Sequence, residues 1–421
     1  MSNSKVIATA AELQRIQLKL TEAVEQTPPT EADGDLTQIE KAQLQANLPR
    51  ALDAIQQAEA VAGVLSSPSN QLASLVQSLV VENPTALEPL PNGLTIEAKF
   101  DTHDWKGWAR VLIHMLRDAK KKFSWQKAPP EPETVQQFGN SSRLAVFSDW
   151  ATGLYGAPVI AKTITEEKKN IDIVIHLGDV YYSGTASEFQ GRFTTFWPRR
   201  PDALHRSLNG NHEMYSGGRP YFDTIQKPPF NQKATYFAYR NDNWIIVGLD
   251  TAFEDHNLTN DQVEWLNRVV AGAEGRKIVL FSHHQPFSLL SGQGPKLKEK
   301  LKTILEGKKI FAWYWGHEHE CVIYDHHDGW NLYGRCVGHA GMPEVRPKAW
   351  GAPVKSRQLR RLEKKGDVPG ALVLDGPNLL IPKEEEKFTP HGFVTLEFDG
   401  PRLVERYHDP DGKEFHSAEL K

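Results

Sequence analysis

The chain has 421 residues, of which 39% are hydrophobic and 24% are charged, and this profile excludes disordered and fibrous proteins. The formal net charge of −4 gives no reason to expect nucleic acid as a partner, and the apolar runs are too short to span a membrane. Because the first residues lack an apolar signal segment and only Cys321 and Cys336 are present, we expect a reduced, cytoplasmic protein.

Residues 1–135 are predicted to form a helical N-terminal region and a linker. Runs such as ATAAELQRIQLKL carry apolar residues at helical spacing and few β-branched residues. The prolines of QKAPPEPET, just before residue 135, prevent a helix there and indicate the linker. Self-association through the N-terminal helices is the one protein contact that this region suggests.

From residue 136 the pattern becomes that of an α/β protein. Short, β-branched apolar runs alternate with helical segments such as TNDQVEWLNRVVAGA, which predicts a core domain over residues 136–345. Residues 346–421 are predicted to complete this core with a β-hairpin, because HGFVTLEFDGPRLVERYHD alternates in polarity around a DG turn. We expect the basic run from Lys355 to Lys365 to be a solvated helix face rather than an anion site.

Polar side chains follow the apolar runs at the points where the predicted strands end. Ligands bind at the carboxyl ends of strands in α/β sheets, so these side chains are expected to share one site. They offer oxygen and imidazole donors without cysteine thiolate, which suits Mn, Fe or Zn in a functional site rather than a structural thiolate site. The set comprises Asp149, Asp179, Asn211, His212, Glu213, His283, His284, His317 and His319.

The order of these motifs resembles that of the calcineurin-like metallophosphoesterase superfamily. The resemblance spans about residues 140 to 345 and implies an α/β fold, a β-sandwich flanked by helices in α-β-β-α layers, with residues 136–345 as the catalytic core. The motifs read Asp149-Trp150-Ala151, Gly178-Asp179-Val180-Tyr181-Tyr182, Gly210-Asn211-His212-Glu213, His283-His284 and Gly316-His317-Glu318-His319.

Within this superfamily the sequence is most similar to the purple acid phosphatase branch. The first motif has Ala151 where most of the superfamily has a metal-binding His, and Tyr182 stands three residues after Asp179, as the Tyr of that branch does. The resemblance therefore implies that Tyr182 is a metal ligand. A phenol ionises near pH 10 when free, so a strongly acidic ion such as Fe(III) is needed to hold it as phenolate.

The resemblance implies two metal ions, Fe(III) together with Fe(II), Mn(II) or Zn(II). One ion would take Asp149, Asp179, Tyr182 and His319. The other would take Asp179, Asn211, His317 and one of the adjacent pair His283 and His284. Ser282 before His283 favours the first of the pair, whereas the His-x-Pro spacing favours His284, which we prefer.

Five further side chains beside the motifs are candidates for catalysis or substrate binding. His212 is predicted to be the general acid that protonates the leaving oxygen, and Glu213 to fix its orientation. Tyr215, Arg219 and Gln285 are candidates to line the substrate pocket, with surface packing as the equal alternative. His339, in VGHAGMP, is predicted to be a core histidine rather than part of the site.

The sequence thus predicts a phosphoesterase that hydrolyses phosphate monoesters of a small substrate by attack of a metal-bound hydroxide. Two alternatives stay open: a phosphodiesterase acting on cyclic nucleotides or phospholipid head groups, and a non-catalytic scaffold with a vestigial metal site. A Ser/Thr protein phosphatase is less favoured, because Tyr182-Ser183-Gly184 stands in place of the Asp-Arg-Gly of that branch.

Overall fold

The computed structural model describes Ser74, residues 87–89 and 95–97, Lys127, and residues 135–421 except 155, 168–169, 292–293 and 382–384. The predicted N-terminal helices and most of the linker lie outside the described residues. What is described there is a short antiparallel ladder of β1 (Leu87–Pro89) and β2 (Thr95–Glu97). The boundary that we place at residue 135 stays a prediction.

A nine-stranded mixed sheet forms one half of the core domain. Its order is β13-β14-β11-β12-β10-β9-β8-β7-β3, and its centre, β8, β9, β10 and β12, is parallel. The strands are β3 (Val135–Gln137), β7 (Phe237–Arg240), β8 (Trp244–Leu249), β9 (Lys277–Ser282), β10 (Ala312–Trp315), β11 (Cys321–Tyr324), β12 (Tyr333–Val337), β13 (Gln358–Leu362) and β14 (Ala371–Asp375).

A six-stranded sheet forms the other half, in the order β17-β16-β15-β4-β5-β6. Here β4, β5 and β6 are parallel, and β15 pairs antiparallel with β4, so the chain's last three strands extend this sheet as a meander. Its strands are β4 (Ser141–Phe147), β5 (Ile173–His176), β6 (Leu204–Ser207), β15 (Phe393–Asp399), β16 (Arg402–His408) and β17 (Glu414–Leu420).

The basic run is a strand and not the helix that we expected. Residues Gln358–Leu362 form β13, which pairs antiparallel with β14 at the edge of the larger sheet. The reason is tertiary, because pairing with a buried neighbour outweighs the weak helical preference of the Arg and Lys side chains.

The two sheets pack face to face, and helices cover both outer faces. Apolar side chains of β4 and β5 meet those of β8, β9 and β10 between the sheets, while Trp265 and Leu266 pack on the larger sheet from outside. The predicted α-β-β-α layering is therefore confirmed. The helices are α1 (Gly156–Lys162), α2 (Ala186–Glu188), α3 (Asn211–Met214), α4 (Arg219–Ile225), α5 (Asn260–Ala271), α6 (Pro295–Lys300) and α7 (Lys302–Glu306), with π-helical turns Thr163–Glu167 and Phe189–Thr194 and a 3₁₀ turn Lys348–Trp350.

Helix α5 shows why these segments take their form. The Thr259 hydroxyl caps it by accepting a hydrogen bond from the backbone N–H of Gln262 at 3.3 Å, and Trp265, Leu266 and Val269 recur on its buried face. With 12 residues it is the longest helix described, and none of the described helices combines the length and apolarity of a membrane span.

The carboxyl ends of the central parallel strands of both sheets meet at one end of the sandwich. The backbone N–H of Asp149, after β4, donates to the carbonyl of Gly178, after β5, at 3.0 Å. The N–H of Gly316, after β10, donates to the carbonyl of His283, after β9, also at 3.0 Å. These bonds tie the strand ends together, so the polar motifs converge at this edge.

Candidate metal centre

One group of donors forms around the phenol of Tyr181. Its oxygen lies 2.9 Å from Asp149 Oδ1, 3.1 Å from Asp179 Oδ2 and 2.9 Å from His319 Nε2. Ligand atoms of Asp149, Asp179 and His319 all lie within 4.8 Å of one another. We call this group the first position; it offers two carboxylates, a phenol and an imidazole.

The structure places Tyr181 where we predicted Tyr182. Tyr181 and Tyr182 lie in the turn that follows β5, and it is the phenol of Tyr181 that faces the carboxylates of Asp149 and Asp179. The backbone carbonyl of Tyr182, by contrast, accepts hydrogen bonds from His212 Nδ1 and from the Ser74 hydroxyl. The phenol among these donors is therefore that of Tyr181, and ligation by Tyr182 stays a prediction.

A second group of donors forms around the side-chain oxygen of Asn211. Asn211 Oδ1 lies 2.9 Å from both His283 Nε2 and His317 Nδ1, and His283 Nε2 lies 3.4 Å from Asp179 Oδ1. Ligand atoms of Asp179, His283 and His317 lie within 4.8 Å of one another. In this second position, as in the first, Asp179 contributes a carboxylate oxygen, so it stands between the two.

His283, and not the preferred His284, reaches the second position. The Nδ1–H of His283 donates to the carbonyl of Leu177 at 3.0 Å, which leaves its Nε2 lone pair toward Asn211 and Asp179. The ring of His284 turns the other way, with its Nδ1 2.9 Å from the hydroxyl of Thr251. The ambiguity that the sequence left within this pair is thus resolved by the direction of each side chain.

The strand ends hold these side chains through unusual backbone conformations. Asp149, Asp179 and His317 have φ values of 54°, 74° and 67°, in the left-handed region that residues other than glycine rarely adopt. Gly210 precedes Asn211 because a Cβ there would collide with the carboxylate of Asp179. The backbone is therefore strained at the residues whose side chains converge.

Outer contacts fix the charge and direction of the donors. Asp149 Oδ2 accepts the backbone N–H of His317 at 2.8 Å, and Glu344 Oε2 lies 3.4 Å from His319 Nδ1. Burial alone would lower the pKa of His319, but its contacts with Asp149 and Glu344 raise the pKa to about 10. Burial opposes ionisation of Asp149 as well, yet its contact with His319 and the nearby His283 hold its pKa well below the usual range.

His212 lies beside Asp179 with one ring nitrogen already engaged. Its Nδ1–H donates to the Tyr182 carbonyl, and its Nε2 lies 3.7 Å from Asp179 Oδ2. Burial lowers the pKa of His212, although Asp179 partly offsets this. Glu213 does not show the predicted contact with this ring; its Oε1 accepts the backbone N–H of Asp179 at 3.0 Å, and so it supports the shared carboxylate.

Of the three predicted substrate-binding residues, one lies at the centre. This residue is Tyr215, whose phenol oxygen accepts a hydrogen bond from Asn211 Nδ2 at 2.9 Å. Arg219 lies 3.7 Å from Asp223 on a groove of about 640 Å³ whose described lining residues include none of the predicted metal ligands. Gln285 is fully buried and donates to the Ser291 hydroxyl at 2.7 Å. His339 is buried, as the core assignment expects.

Three residues at the centre were missed in the sequence. Tyr181 lies inside a recognised motif, but Glu344 and His256 lie outside all five motifs. His256 follows β8, where its ring lies 3.8 Å from that of His284 and 5.2 Å from that of His317, centroid to centroid. One feature of the sequence could have pointed to His256: it lies in the loop after the run NWIIVGLD, and this loop too leaves the carboxyl end of a central strand.

Comparison with known proteins gives one family match. The model of the calcineurin-like phosphoesterase family matches residues 142–321, which contain every predicted metal ligand. This part of the chain, less than half of its length, is thus similar to the calcineurin-like phosphoesterases. The recognition of this family from the order of the motifs is confirmed, and so is its fold. No curated protein matches the chain with significance.

Solved structures of this phosphoesterase fold are similar to the chain at low sequence identity. A purple acid phosphatase, PPD1, from yellow lupin seeds matches with a TM-score of 0.51 and 17% identity over 68% of this chain and 54% of its own. The chain thus spans about half of the lupin protein's length. GAP50, the anchor in the inner membrane complex of Plasmodium, matches with a TM-score of 0.49 and 12% identity, over 67% and 89% of the two chains. A dimetal phosphatase from Danio rerio gives 0.41 and 12%, over 66% and 98%.

The donor set of the phosphoesterase domain fits two metal ions. Carboxylate, amide and phenol oxygens together with imidazole nitrogens suit borderline and hard transition-metal ions, and the carboxylate that belongs to both groups can bridge two of them. Nε2 of His283 and of His319 both face these groups while their Nδ1 atoms contact other partners, as is typical of metal-ligating histidines.

Proposed function

We propose that the chain is a dinuclear metal-dependent phosphatase that hydrolyses phosphate monoesters. The observation that carries this proposal is the place of Asp179, whose carboxylate contacts Tyr181 in the first position and His283 in the second. One carboxylate with donors on both sides is what a pair of ions about 3.5–4 Å apart requires. When bound, the two ions supply Lewis acidity for the phosphoryl oxygens and an activated water.

The phenol of Tyr181 points to the identity of the ion in the first position. Burial raises the pKa of Tyr181 well above its usual value, and the nearby carboxylates add to this, so only a strongly acidic cation would hold the phenolate. Fe(III) fits that requirement, together with Asp149, Asp179 and His319 as the other ligands. For the second position, Asp179, Asn211, His283 and His317 suit Fe(II), Mn(II) or Zn(II).

His212 has the geometry of a proton donor to the leaving oxygen. Because its Nδ1–H is held by the Tyr182 carbonyl, its Nε2 faces the region beside Asp179 where a substrate would lie. Imidazole can carry the proton that an alkoxide leaving group needs. Tyr215, bonded to Asn211, lies on the same side and is the one predicted substrate contact that this geometry supports. The substrate that we propose is a small phosphorylated molecule.

The test is a substrate panel run on protein reconstituted with defined metals. Phosphomonoesters and phosphodiesters would be compared in protein loaded with iron and then with Fe(II), Mn(II) or Zn(II). We expect turnover of monoesters by the loaded protein and none after chelation. Faster turnover of diesters would favour the phosphodiesterase alternative, and no turnover of either class would favour a scaffold.

Asp179→Asn provides the matching variant. Loss of a residue that only supports a metal ligand costs about 10–100-fold in activity, and Asp179→Asn should reduce turnover by more than this. It should also lower the metal content, since one carboxylate serves both ions. Asp328→Asn is the control, because the Asp328 side chain is 98% exposed and its ion pair among the described residues is with His326. Normal activity and metal content in Asp179→Asn would contradict the dinuclear centre.

A further inference from the structure

A third cluster of donors lies next to the second position and consists of imidazoles alone. One nitrogen from each of His256, His284 and His317 lies within 4.8 Å of the others. The ring centroid of His284 lies 3.8 Å from that of His256 and 4.7 Å from that of His317. His256 lies outside the five motifs, and His284 is the member of its motif pair that turns away from the second position, so these two residues are additional to the two positions described above.

His284 presents a buried nitrogen that the fold does not satisfy. Its side chain is fully buried, and its Nδ1 lies 2.9 Å from the Thr251 hydroxyl, which also accepts the backbone N–H of His284 at 3.0 Å. Its Nε2, in contrast, is buried without a hydrogen-bond partner among the described residues. A buried polar atom left in this state costs about 1–3 kcal/mol, and a bound cation would remove that cost.

His256 presents a second such nitrogen, and its lone pair is directed by a carboxylate. Its Nδ1 lies 2.8 Å from Asp255 Oδ1, and because a carboxylate accepts, Nδ1 carries the hydrogen and Nε2 carries the lone pair. Nε2 is likewise buried without a partner among the described residues. A carboxylate on the far nitrogen is the arrangement that orients metal-ligating histidines.

The loop that carries His256 is held toward the cluster. Asp255 and His256 have φ values of 49° and 63°, two consecutive left-handed residues other than glycine. Lys296 anchors the same loop from outside, since its Nζ donates to the Asp255 carbonyl at 2.9 Å and lies 3.6 Å from Asp255 Oδ2. The loop therefore presents the imidazole inward, and the anchoring lysine stays on the other side of the carboxylate.

We propose that His256, His284 and His317 form a third cation site, specific for a divalent ion that prefers imidazole, with Zn²⁺ as the best fit. Three imidazoles with an open fourth position is a ligand set that zinc adopts, at about 2.0–2.1 Å from each nitrogen. Hard ions such as Mg²⁺ and Ca²⁺ prefer oxygen ligands and do not fit. Because His317 also belongs to the second position, the third ion would lie beside the dinuclear centre, and His317 would bind both ions as an imidazolate, with its ring proton released to solvent.

The open coordination position of this site is where a substrate could bind. A cation there would leave its fourth coordination place for solvent or for an oxygen of an anionic ligand. The site itself depends only on the three imidazoles, so it stands or falls independently of phosphatase activity.

Counting bound Zn²⁺ tests the site directly. The purified full chain would be stripped with a chelator, loaded with one equivalent of Fe(III), dialysed against a range of buffered free Zn²⁺ and analysed by elemental mass spectrometry. We expect one iron and two Zn²⁺ per wild-type chain, and one iron and one Zn²⁺ in His256→Ala. His326→Ala is the matched control, because His326 also pairs with an aspartate, at 2.9 Å from Asp328, but belongs to none of the three donor groups among the described residues; it should keep two Zn²⁺.

Asp255→Asn gives a second readout that does not remove a ligand. Loss of the carboxylate behind His256 should weaken one of the two Zn²⁺ sites by about 10–100-fold and leave the other unchanged. Circular dichroism spectra and melting curves like those of the wild type would show that each variant is folded. This pair of variants avoids the fully buried His284, whose replacement could disturb the core.

Two outcomes would overturn the third site. One is an iron-loaded wild-type chain that saturates at one Zn²⁺, and the other is His256→Ala that retains two. Asp179→Asn separates this failure from that of the dinuclear centre, because it should lower occupancy of the first and second positions while one Zn²⁺, lost on adding His256→Ala, remains bound.

Discussion

The phenol oxygen of Tyr181 lies 2.9 Å from Oδ1 of Asp149, so a tyrosine after β5 and an aspartate after β4 meet between the sheet ends. The next residue, Tyr182, contributes its carbonyl to the ring of His212 instead. Two consecutive tyrosines therefore serve different partners, one through its side chain and the other through its backbone. This division makes the two residues a matched pair for experiment.

Tyr181→Phe should abolish the visible absorption of iron-loaded protein, whereas Tyr182→Phe should retain it. The physical reason is that charge transfer from a phenolate to Fe(III) needs the oxygen that lies beside Asp149 and Asp179. The measurement is a visible spectrum after reconstitution with iron, together with iron content. Loss of colour in Tyr182→Phe with colour kept in Tyr181→Phe would restore our original assignment of Tyr182.

His212→Ala should keep its metal content but lose roughly 10²–10⁴-fold in turnover of alkyl phosphates, if His212 is the general acid. Its Nε2 faces the region beside Asp179, while its Nδ1 is committed to the Tyr182 carbonyl. The loss should shrink for nitrophenyl phosphate, whose leaving group needs no proton. Steady-state kinetics with both substrates give the answer, and equal losses for the two would exclude this role.

Glu405→Ala should destabilise the fold by about 3–5 kcal/mol, because it leaves a buried arginine without its partner. Glu405 is fully buried on β16, where its carboxylate lies 2.9 Å from Arg335 Nε and accepts the Tyr314 hydroxyl at 2.8 Å. Glu419→Ala, which removes the exposed partner of Arg402, should change little and is the control. Urea unfolding of both variants measures the difference, and a similar small effect in each would refute the importance of the buried pair.

Asp250 should make the protein less stable as the pH rises from about 4 to 6. Burial raises its pKa from the ordinary 3.8 to about 6, although the backbone N–H groups of Phe253 and Ala252 donate to it. Below pH 3.8 the Asp250 carboxyl is protonated in both the folded and the unfolded chain. Between pH 3.8 and about 6 the unfolded chain releases this proton, whereas the folded chain keeps it. The contribution is therefore full at low pH and is lost as the pH passes about 6.

Asp250→Asn isolates this contribution, because the amide oxygen can accept the same two backbone bonds without ionising. The difference in unfolding free energy between wild type and variant should change by on the order of 3 kcal/mol across that pH range, in favour of the variant at higher pH. Denaturant titrations at intervals of half a pH unit would show it. A difference that stays constant with pH would mean that Asp250 ionises normally in the folded protein.

Much of the candidate site was predictable because its motifs are local. Asp149 and Asp179 follow apolar, β-branched runs, His317 and His319 follow the aromatic run FAWYW, and Asn211 follows the more polar run LHRSL. Strand ends in an α/β protein meet at one edge, so their convergence could be expected without coordinates. The two-sheet core was expected from the resemblance to the metallophosphoesterase superfamily, since buried apolar runs alone indicate only strands that are covered on both faces.

Errors arose where a choice depended on direction or on a distant neighbour. Tyr181 and Tyr182, like His283 and His284, are adjacent, and a motif's spacing does not tell which of two neighbours faces inward. The basic run at β13 was predicted as helix because pairing with β14 is invisible in its own composition. The role of Glu213 was misplaced in the same way, since its partner is the backbone of a residue 34 positions earlier.

The sequence by itself determined the resemblance to the calcineurin-like phosphoesterases, the α/β class and most of the residue types of the centre, because these depend on periodicity and on short motifs at strand ends. Only the tertiary structure decided that Tyr181 and His283 face the shared carboxylate of Asp179, and that His256 joins His284 beside His317. These choices depend on how each strand end is turned and on which loops the two sheets bring together. Such contacts join residues far apart in the chain, and their energies are decided by packing rather than by local preference.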